Sequence, residues 1–131
     1  MSDPMDLTGV WYGAWTATHP IYPNSFIANL VETFSLFSGS ITEPDVGRRP
    51  AIFRAFVEGA RAGADIRFVK RYDGSGRLSH AVLYTGKINS SGTEIAGTWH
   101  FSTYSGGFTM QRESFTTEEL EEREEISVPT G

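Results

Sequence analysis

The 131-residue sequence contains no cysteine, which removes several kinds of chemistry before any motif is considered. Without thiols there is no disulfide framework, no cysteine nucleophile and no cysteine-ligated zinc. No apolar run approaches the roughly 18 residues that a membrane-spanning helix needs. The first residues also lack the basic and apolar regions of a signal peptide. We therefore expect a cytoplasmic protein that has no membrane partner.

Sequence signatures of the common enzyme classes are missing as well. There is neither a Gly-x-Ser-x-Gly elbow nor a phosphate-binding loop. The three histidines, His19, His80 and His100, lie far apart, and none has a neighbour at the spacing of metal ligands. We accordingly expect no cofactor and no metal site.

The net charge of −5 is confined to the C-terminal tail. Ten acidic residues balance ten basic ones from Met1 to Phe115, whereas six glutamates face Arg123 alone from Thr116 onward. The length suits one compact domain. We predict a single domain over 1–115 and a short acidic tail over 116–131, which forms a short helix or is disordered.

A basic stretch lies within this neutral body. Val46 to Lys87 contains nine arginines and lysines but only three acidic residues. We interpret these charges as solvated outer faces; the alternative is an anion-attracting patch that the acidic tail covers. Aromatic residues interleave with the basic ones, as in proteins that bind single-stranded nucleic acid. The neutral body and anionic tail argue against a nucleic-acid partner.

Alternation of apolar and polar residues, with 14 glycines and 13% aromatics, indicates an all-β protein. A turn is expected at Ser38-Gly-Ser40, and Gly106-Gly107 leads into the last strand. The alanines of the fourth strand would also suit a helix. The expected strands are Leu7–Thr16, Ser25–Phe34, a short strand ending at Pro44, Ala51–Arg61, Asp65–Tyr72, Leu78–Ile88, Glu94–Phe101 and Phe108–Phe115.

Short connections make sequential strands antiparallel neighbours, because a parallel crossover needs a dozen or more residues. Hairpin turns are expected at Ala62-Gly-Ala64, Asp73-Gly-Ser-Gly76 and Asn89-Ser-Ser-Gly92. Closing an eight-stranded sheet removes its exposed edges. The sequence therefore predicts an eight-stranded antiparallel up-and-down β-barrel, with a β-sandwich as the alternative.

Gly9-Val-Trp11 opens the first expected strand, and Arg112 lies near the end of the last. This arrangement resembles the calycin pattern shared by lipocalins, fatty-acid-binding proteins and avidins. In that pattern the tryptophan of the first strand packs under a cation from the final strand. The resemblance implies that Trp11 and Arg112 close one end of the barrel, which is a structural role.

Two further comparisons refine this resemblance. The runs Tyr72-Asp-Gly-Ser-Gly, Gly97-Thr-Trp and Gly107-Phe-Thr-Met-Gln-Arg112 resemble a family of small, uncharacterised bacterial barrel proteins, which implies no particular activity. An avidin follows its Gly-x-Trp with a polar biotin-binding loop, whereas Tyr12-Gly-Ala-Trp15 follows here. We therefore do not expect biotin as the ligand.

Strand parity predicts which side chains point into the barrel. On the second strand the inward set would be Phe26, Ala28, Leu30, Glu32 and Phe34. Lys70 and Tyr72 would point inward from the fifth strand, and His80 and Tyr84 from the sixth. Glu32 and Lys70 pair with each other in one interpretation. The candidate ligand-binding residues are Trp15, Glu32, Lys70, Tyr72, His80, Tyr84 and Trp99.

Polar groups inside an aromatic shell suit the recognition of a small, partly polar molecule. We expect a calycin-type barrel that binds a modest ligand, apolar or aromatic in part, with Lys70 favouring an anion. The first alternative is an acid/base enzyme, such as an isomerase, cyclase or hydratase, that uses His80 with Tyr84 or Glu32. The second is a filled barrel that acts as an oligomerisation or interaction module, with exposed positions such as Val10, Tyr12 and Leu83 in a subunit contact.

Overall fold

The computed structural model describes residues 3–17, 24–45, 51–73 and 81–112 of the chain. The expected tail, the hairpin expected at 73–76 and the last three residues of the expected eighth strand fall wholly or partly outside these ranges. The strands are β1 (Gly9–Trp15), β2 (Asn24–Thr33), β3 (Leu36–Asp45), β4 (Ala51–Ala62), β5 (Asp65–Tyr72), β6 (Ala81–Ile88), β7 (Glu94–Phe101) and β8 (Tyr104–Gln111).

The eight strands form one closed antiparallel barrel in chain order. β1 pairs with β8 through Gly13 opposite Met110 and Trp15 opposite Phe108, so no sheet edge remains open. The predicted barrel is confirmed and the β-sandwich is excluded. β4 is a strand throughout, and its alanines do not make a helix.

Every second residue of a strand points into the barrel, as the pleat of a strand requires. Trp11 is fully buried, and the inward residues predicted for the fifth and sixth strands point inward wherever they are described. The middle of the barrel is filled by an aromatic cluster in which Phe68 stacks on Tyr84 with ring centroids 4.6 Å apart. Phe108 meets both rings edge-on. This cluster separates the two ends of the barrel interior.

The turn between β2 and β3 differs from the prediction. It lies at Phe34 and Ser35, which both have positive φ, and β3 runs through the expected turn at 38–40. Gly39 lies within the strand. The residue there is glycine because a Cβ would stand 2.0 Å from the Asn29 carbonyl oxygen. Phe34 was predicted to point inward but is 96% exposed, because it belongs to the turn and not to the strand.

The start of β8 differs for a similar reason. Ser102 and Thr103 make the turn, Ser102 has positive φ, and the strand already begins at Tyr104. Gly106 therefore lies in a strand, where a Cβ would stand 1.7 Å from the Thr16 carbonyl oxygen. Glycine occurs at these two positions because a neighbouring backbone approaches closely, and not because the chain turns there.

The two ends of the barrel are built differently. At one end lie residues 3–8 and the hairpin turns at 34–35, 63–64 and 89–93. We call this the closed end. At the other end β1, β3, β5 and β7 finish, and we call it the cavity end because the interior space described below lies there.

Candidate functional site

Trp11 and Arg112 lie together at the closed end. The guanidinium carbon of Arg112 stands 4.2 Å from the centroid of the Trp11 ring. Arg112 also donates hydrogen bonds to the carbonyl oxygens of Pro4, Asp6, Thr8 and Gly92. The indole N–H of Trp11 donates to the Leu7 carbonyl at 2.9 Å. These contacts tie residues 3–8 across the barrel end.

Glu32 also lies at the closed end, away from the cavity. Arg61 binds it with two hydrogen bonds, Nε to Oε1 at 2.7 Å and Nη2 to Oε2 at 2.8 Å. Arg61 further donates to Asp3 and to the Gly63 carbonyl, and the pKa of the Arg61 guanidinium is raised mainly by its bonds to Glu32. The expected Glu32–Lys70 pair does not form, because each side chain has a different partner.

The cavity end contains an interior space of about 210 Å³. Aromatic rings supply most of its wall, and β1, β5, β6, β7 and β8 all contribute. Five of the seven predicted ligand-binding residues line it. The complete lining is Trp15, Lys70, Tyr72, Val82, Tyr84, Trp99, Phe101 and Tyr104.

A buried charged cluster forms one side of this cavity. Lys70 and Glu43 are each about 2% exposed at their side chains, and Lys70 Nζ lies 2.5 Å from Glu43 Oε1. Tyr72 donates its O–H to Glu43 Oε2 at 2.9 Å. The ammonium group also stands over the rings of Tyr72 and Tyr84, at 4.6 and 5.2 Å from their centroids. The carboxylate, the ammonium and the phenol thus form one connected group.

Burial shifts the pKa values of the side chains in this cluster. The pKa of Lys70 is lowered because desolvation outweighs the attraction of Glu43. The pKa values of Tyr72 and Tyr84 are raised, first by burial and then by the nearby Glu43 charge. Both phenols therefore stay protonated at neutral pH and can donate hydrogen bonds.

Sequence reasoning missed Glu43 and Arg61, which are the ion-pair partners of Lys70 and Glu32. The parity of Ile41 and Glu43 would have placed Glu43 on the inward face, but the turn expected at 38–40 reduced β3 to a short strand. Arg61 closed the predicted fourth strand and was counted with the basic stretch. The inward lysine was the available signal, because a buried charge requires a counter-charge, but it had been paired with Glu32.

The tryptophans differ in how their indole N–H groups are satisfied. Trp99 donates to the Thr16 carbonyl at 2.8 Å and meets Trp15 edge-on, with ring centroids 5.7 Å apart. Trp15 Nε1 is buried and has no hydrogen-bond partner, the one such side-chain atom in the described parts of the chain. An unsatisfied buried donor costs about 1–3 kcal/mol. Trp15 therefore combines a place in the cavity lining with an unsatisfied hydrogen-bond donor.

His80 lies outside the described residues, so the structure does not place it. The basic stretch separates into two groups among the residues that are described. Arg54, Arg67, Arg71 and Lys87 are exposed on the outer surface of β4 to β6, whereas Arg61 and Lys70 are buried in ion pairs. The inward pair therefore contributes nothing to an outer basic patch.

The described parts of the chain are residues 3–17, 24–45, 51–73 and 81–112. These ranges contain no group of three or more histidine, aspartate or glutamate side chains arranged to hold a metal ion. They also contain no helix with the length and apolar character needed to cross a bilayer.

Comparison with known proteins supports the fold. No protein-family model matches the chain, and no curated protein matches it. Among solved structures it is similar to a redesigned β-barrel, with a TM-score of 0.69 and 14% sequence identity. The match covers 86% of this chain and 96% of that one. The protein is thus a small closed antiparallel β-barrel, and at this identity the likeness extends to the fold alone.

Proposed function

We propose that this protein is a calycin-like binding barrel that holds one small aromatic ligand at its cavity end. The single observation that carries the proposal is an aromatic cavity whose lining residue Trp15 has a buried indole Nε1 without a hydrogen-bond partner. A bound hydrogen-bond acceptor would remove the cost of leaving that donor unsatisfied. A cytoplasmic location remains part of the proposal.

The size of the cavity limits the ligand. An apolar cavity of about 150 Å³ accepts benzene, which has six heavy atoms. A volume of about 210 Å³ then has room for roughly eight or nine. This is one aromatic ring with a short substituent. The chain of a fatty acid or other long-chain lipid would extend beyond this space.

The charges around the cavity favour a neutral ligand. An anion was expected because of Lys70, but Glu43 already balances that ammonium group within the barrel. An added anion would bring a second, uncompensated negative charge into a buried site. A neutral acceptor such as a carbonyl oxygen fits the indole donor without this cost.

The experiment compares acetophenone with α-methylstyrene, which has a CH2 group where acetophenone has its oxygen. The chain has three tryptophans, so the ¹⁵N-labelled protein gives three indole N–H signals, and Trp15→Phe identifies that of Trp15. Acetophenone should move this signal downfield in a saturable way while the Trp11 signal stays in place. A dissociation constant of about 0.1 mM corresponds to about 0.6 kcal/mol per heavy atom.

The hydrocarbon should bind about tenfold more weakly, which is the value of one hydrogen bond of about 1.4 kcal/mol. In Trp15→Phe this preference for the ketone should disappear, since the donor has been removed. Equal binding of the two compounds by the unaltered protein, or no saturable shift at any indole, contradicts the proposal.

A second candidate function, self-association, is favoured by the outer face of β1 to β3. Twelve exposed positions there carry no charge, and Tyr12, Val31 and Leu36 are each more than half exposed. Leu83 lies elsewhere, on β6. A second copy meeting this face through a twofold axis would oppose no like charges. At about 4.8 by 6.8 Å per position the face covers roughly 400 Å² in projection, which suits a weak dimer.

Sedimentation velocity over a range of concentrations tests this candidate. Val31→Glu adds a charge within the uncharged face, and Thr98→Glu adds the same charge on the outer surface of β7 as the control. We expect a concentration-dependent dimer that Val31→Glu abolishes and Thr98→Glu retains. A monomer at every concentration, or equal effects of both variants, rejects this candidate.

A further inference from the structure

We propose that Lys70 forms a reversible imine with small aromatic aldehydes that enter the cavity, so that the barrel captures carbonyl compounds covalently. This inference rests on the proposed function for the entry of the ligand. It adds a substrate class, namely aldehydes, and a nucleophile, namely the Lys70 amine.

The placement of Lys70 is the first argument. Its side chain is 2% exposed and lies in the wall of the cavity, beside the space that a bound ring would fill. Burial lowers the pKa of Lys70, which favours the uncharged, nucleophilic form of the amine. Exposed lysines lack both the confinement and the desolvation.

The position of Glu43 is the second argument, because imine formation needs a proton acceptor and later a proton donor. Glu43 Oε1 contacts Lys70 Nζ directly, and Tyr72 binds the other carboxylate oxygen. The carboxylate can therefore take a proton from the ammonium group and keep a fixed orientation while it holds that proton.

The step balances within the site. Glu43 takes one proton from the Lys70 ammonium, and the neutral amine forms a C–N bond to the aldehyde carbon. A second amine proton moves to the oxygen and gives a carbinolamine. Glu43 then returns its proton to that hydroxyl group, the C–O bond breaks, and water leaves. The product is a protonated imine beside the Glu43 carboxylate, so the buried pair has the same net charge before and after.

The experiment uses benzaldehyde as the probe and sodium cyanoborohydride to reduce any imine to a stable secondary amine. The chain has two lysines, and Lys87 provides an internal control because its side chain is 78% exposed. Peptide mapping by mass spectrometry of the full-length protein then measures the label at each site. We expect Lys70 to react at least tenfold faster than Lys87 at pH 7, and acetophenone to slow Lys70 alone.

Two cavity variants test the route without altering Lys70 or Glu43. Val82 lines the cavity, and Val82→Phe fills part of it, so labelling of Lys70 should fall at least tenfold. Leu83 is the next residue of the same strand and points outward, and Leu83→Phe should leave the ratio unchanged. Far-ultraviolet circular dichroism is used to check that both variants are folded before labelling.

The outcomes separate this inference from the proposed function. If acetophenone shifts the Trp15 signal but label appears only on Lys87 and the N-terminus, the covalent inference is overturned and ligand binding stands. If acetophenone does not bind and Lys70 is not labelled, both are overturned. Equal labelling of Lys70 in the two phenylalanine variants would also overturn the inference, since the reaction would not then depend on the cavity.

Discussion

Replacing Glu43 by glutamine should destabilise the protein in a way that depends on pH. The substitution keeps the shape of the side chain and an acceptor for the Tyr72 hydroxyl, but it leaves the buried Lys70 ammonium without a counter-charge. Removing one partner of a buried ion pair typically costs about 3–5 kcal/mol. We expect a loss of this size at pH 7, measured by urea unfolding.

The pH dependence follows from the Lys70 pKa. Burial already lowers it in the native protein against the opposing effect of Glu43, and losing that carboxylate lowers it further. Between this folded-state pKa and the unfolded value of about 10.4, the unfolded chain binds more protons than the folded chain. The stability of Glu43→Gln should therefore rise with pH, by at most about 1.4 kcal/mol per pH unit.

The assay compares unfolding free energies at pH 7 and pH 9. In this range Tyr72 and Tyr84 are mostly protonated in both states, because their pKa is about 10 in the unfolded chain and folding raises it. The double variant Glu43→Gln/Lys70→Met removes both charges and should recover most of the lost stability. Its unfolding free energy should also lack the added dependence on pH. A Glu43→Gln variant with native stability, or one whose stability falls from pH 7 to pH 9, would refute the reasoning.

Two further predictions concern the closed end of the barrel. Arg112→Met removes the cation over Trp11 and the donor to four backbone carbonyls, and we expect a loss of about 2–4 kcal/mol in urea unfolding; native stability would show that the contacts contribute nothing. Replacing Phe34-Ser35 by Asn-Gly suits the positive φ of both residues and removes an exposed ring. We expect about 1 kcal/mol of added stability, seen as a Tm several degrees higher, whereas a lower Tm would contradict the turn geometry.

The architecture could be predicted because it depends on local patterns. Alternation along β5 to β8 identifies the inward face, and short turns leave sequential strands no arrangement other than antiparallel neighbours. The same parity placed Lys70, Tyr72 and Tyr84 together correctly, since residues two apart on one strand share a face.

The remaining features depend on contacts between distant residues. Glycine at 39 indicated a turn, but its cause is the approach of the Asn29 carbonyl from the neighbouring strand, which no local pattern reveals. The true turn uses phenylalanine and serine at positive φ, contrary to ordinary turn preferences. Because β3 was shortened in this way, Glu43 was missed, and Lys70 was matched with the wrong carboxylate.

The partition of charges explains why the candidate site is at one end. Glu32, Arg61 and Asp3 satisfy one another beside the N-terminal segment, and the closed end has no unsatisfied buried side-chain atom among its described residues. The cavity end combines empty space with one unsatisfied donor and a balanced ion pair. The candidate binding site therefore lies at that end of the barrel.

A crystal structure of the protein with acetophenone tests the central claim most directly. Our account predicts the ring between the aromatic walls of the cavity, with the ketone oxygen within about 3.2 Å of Trp15 Nε1. The Glu43–Lys70 pair should remain intact beside it, because a neutral ligand does not compete for either charge. A ligand bound on the outer surface, or a cavity that stays empty at saturating acetophenone, would contradict the account.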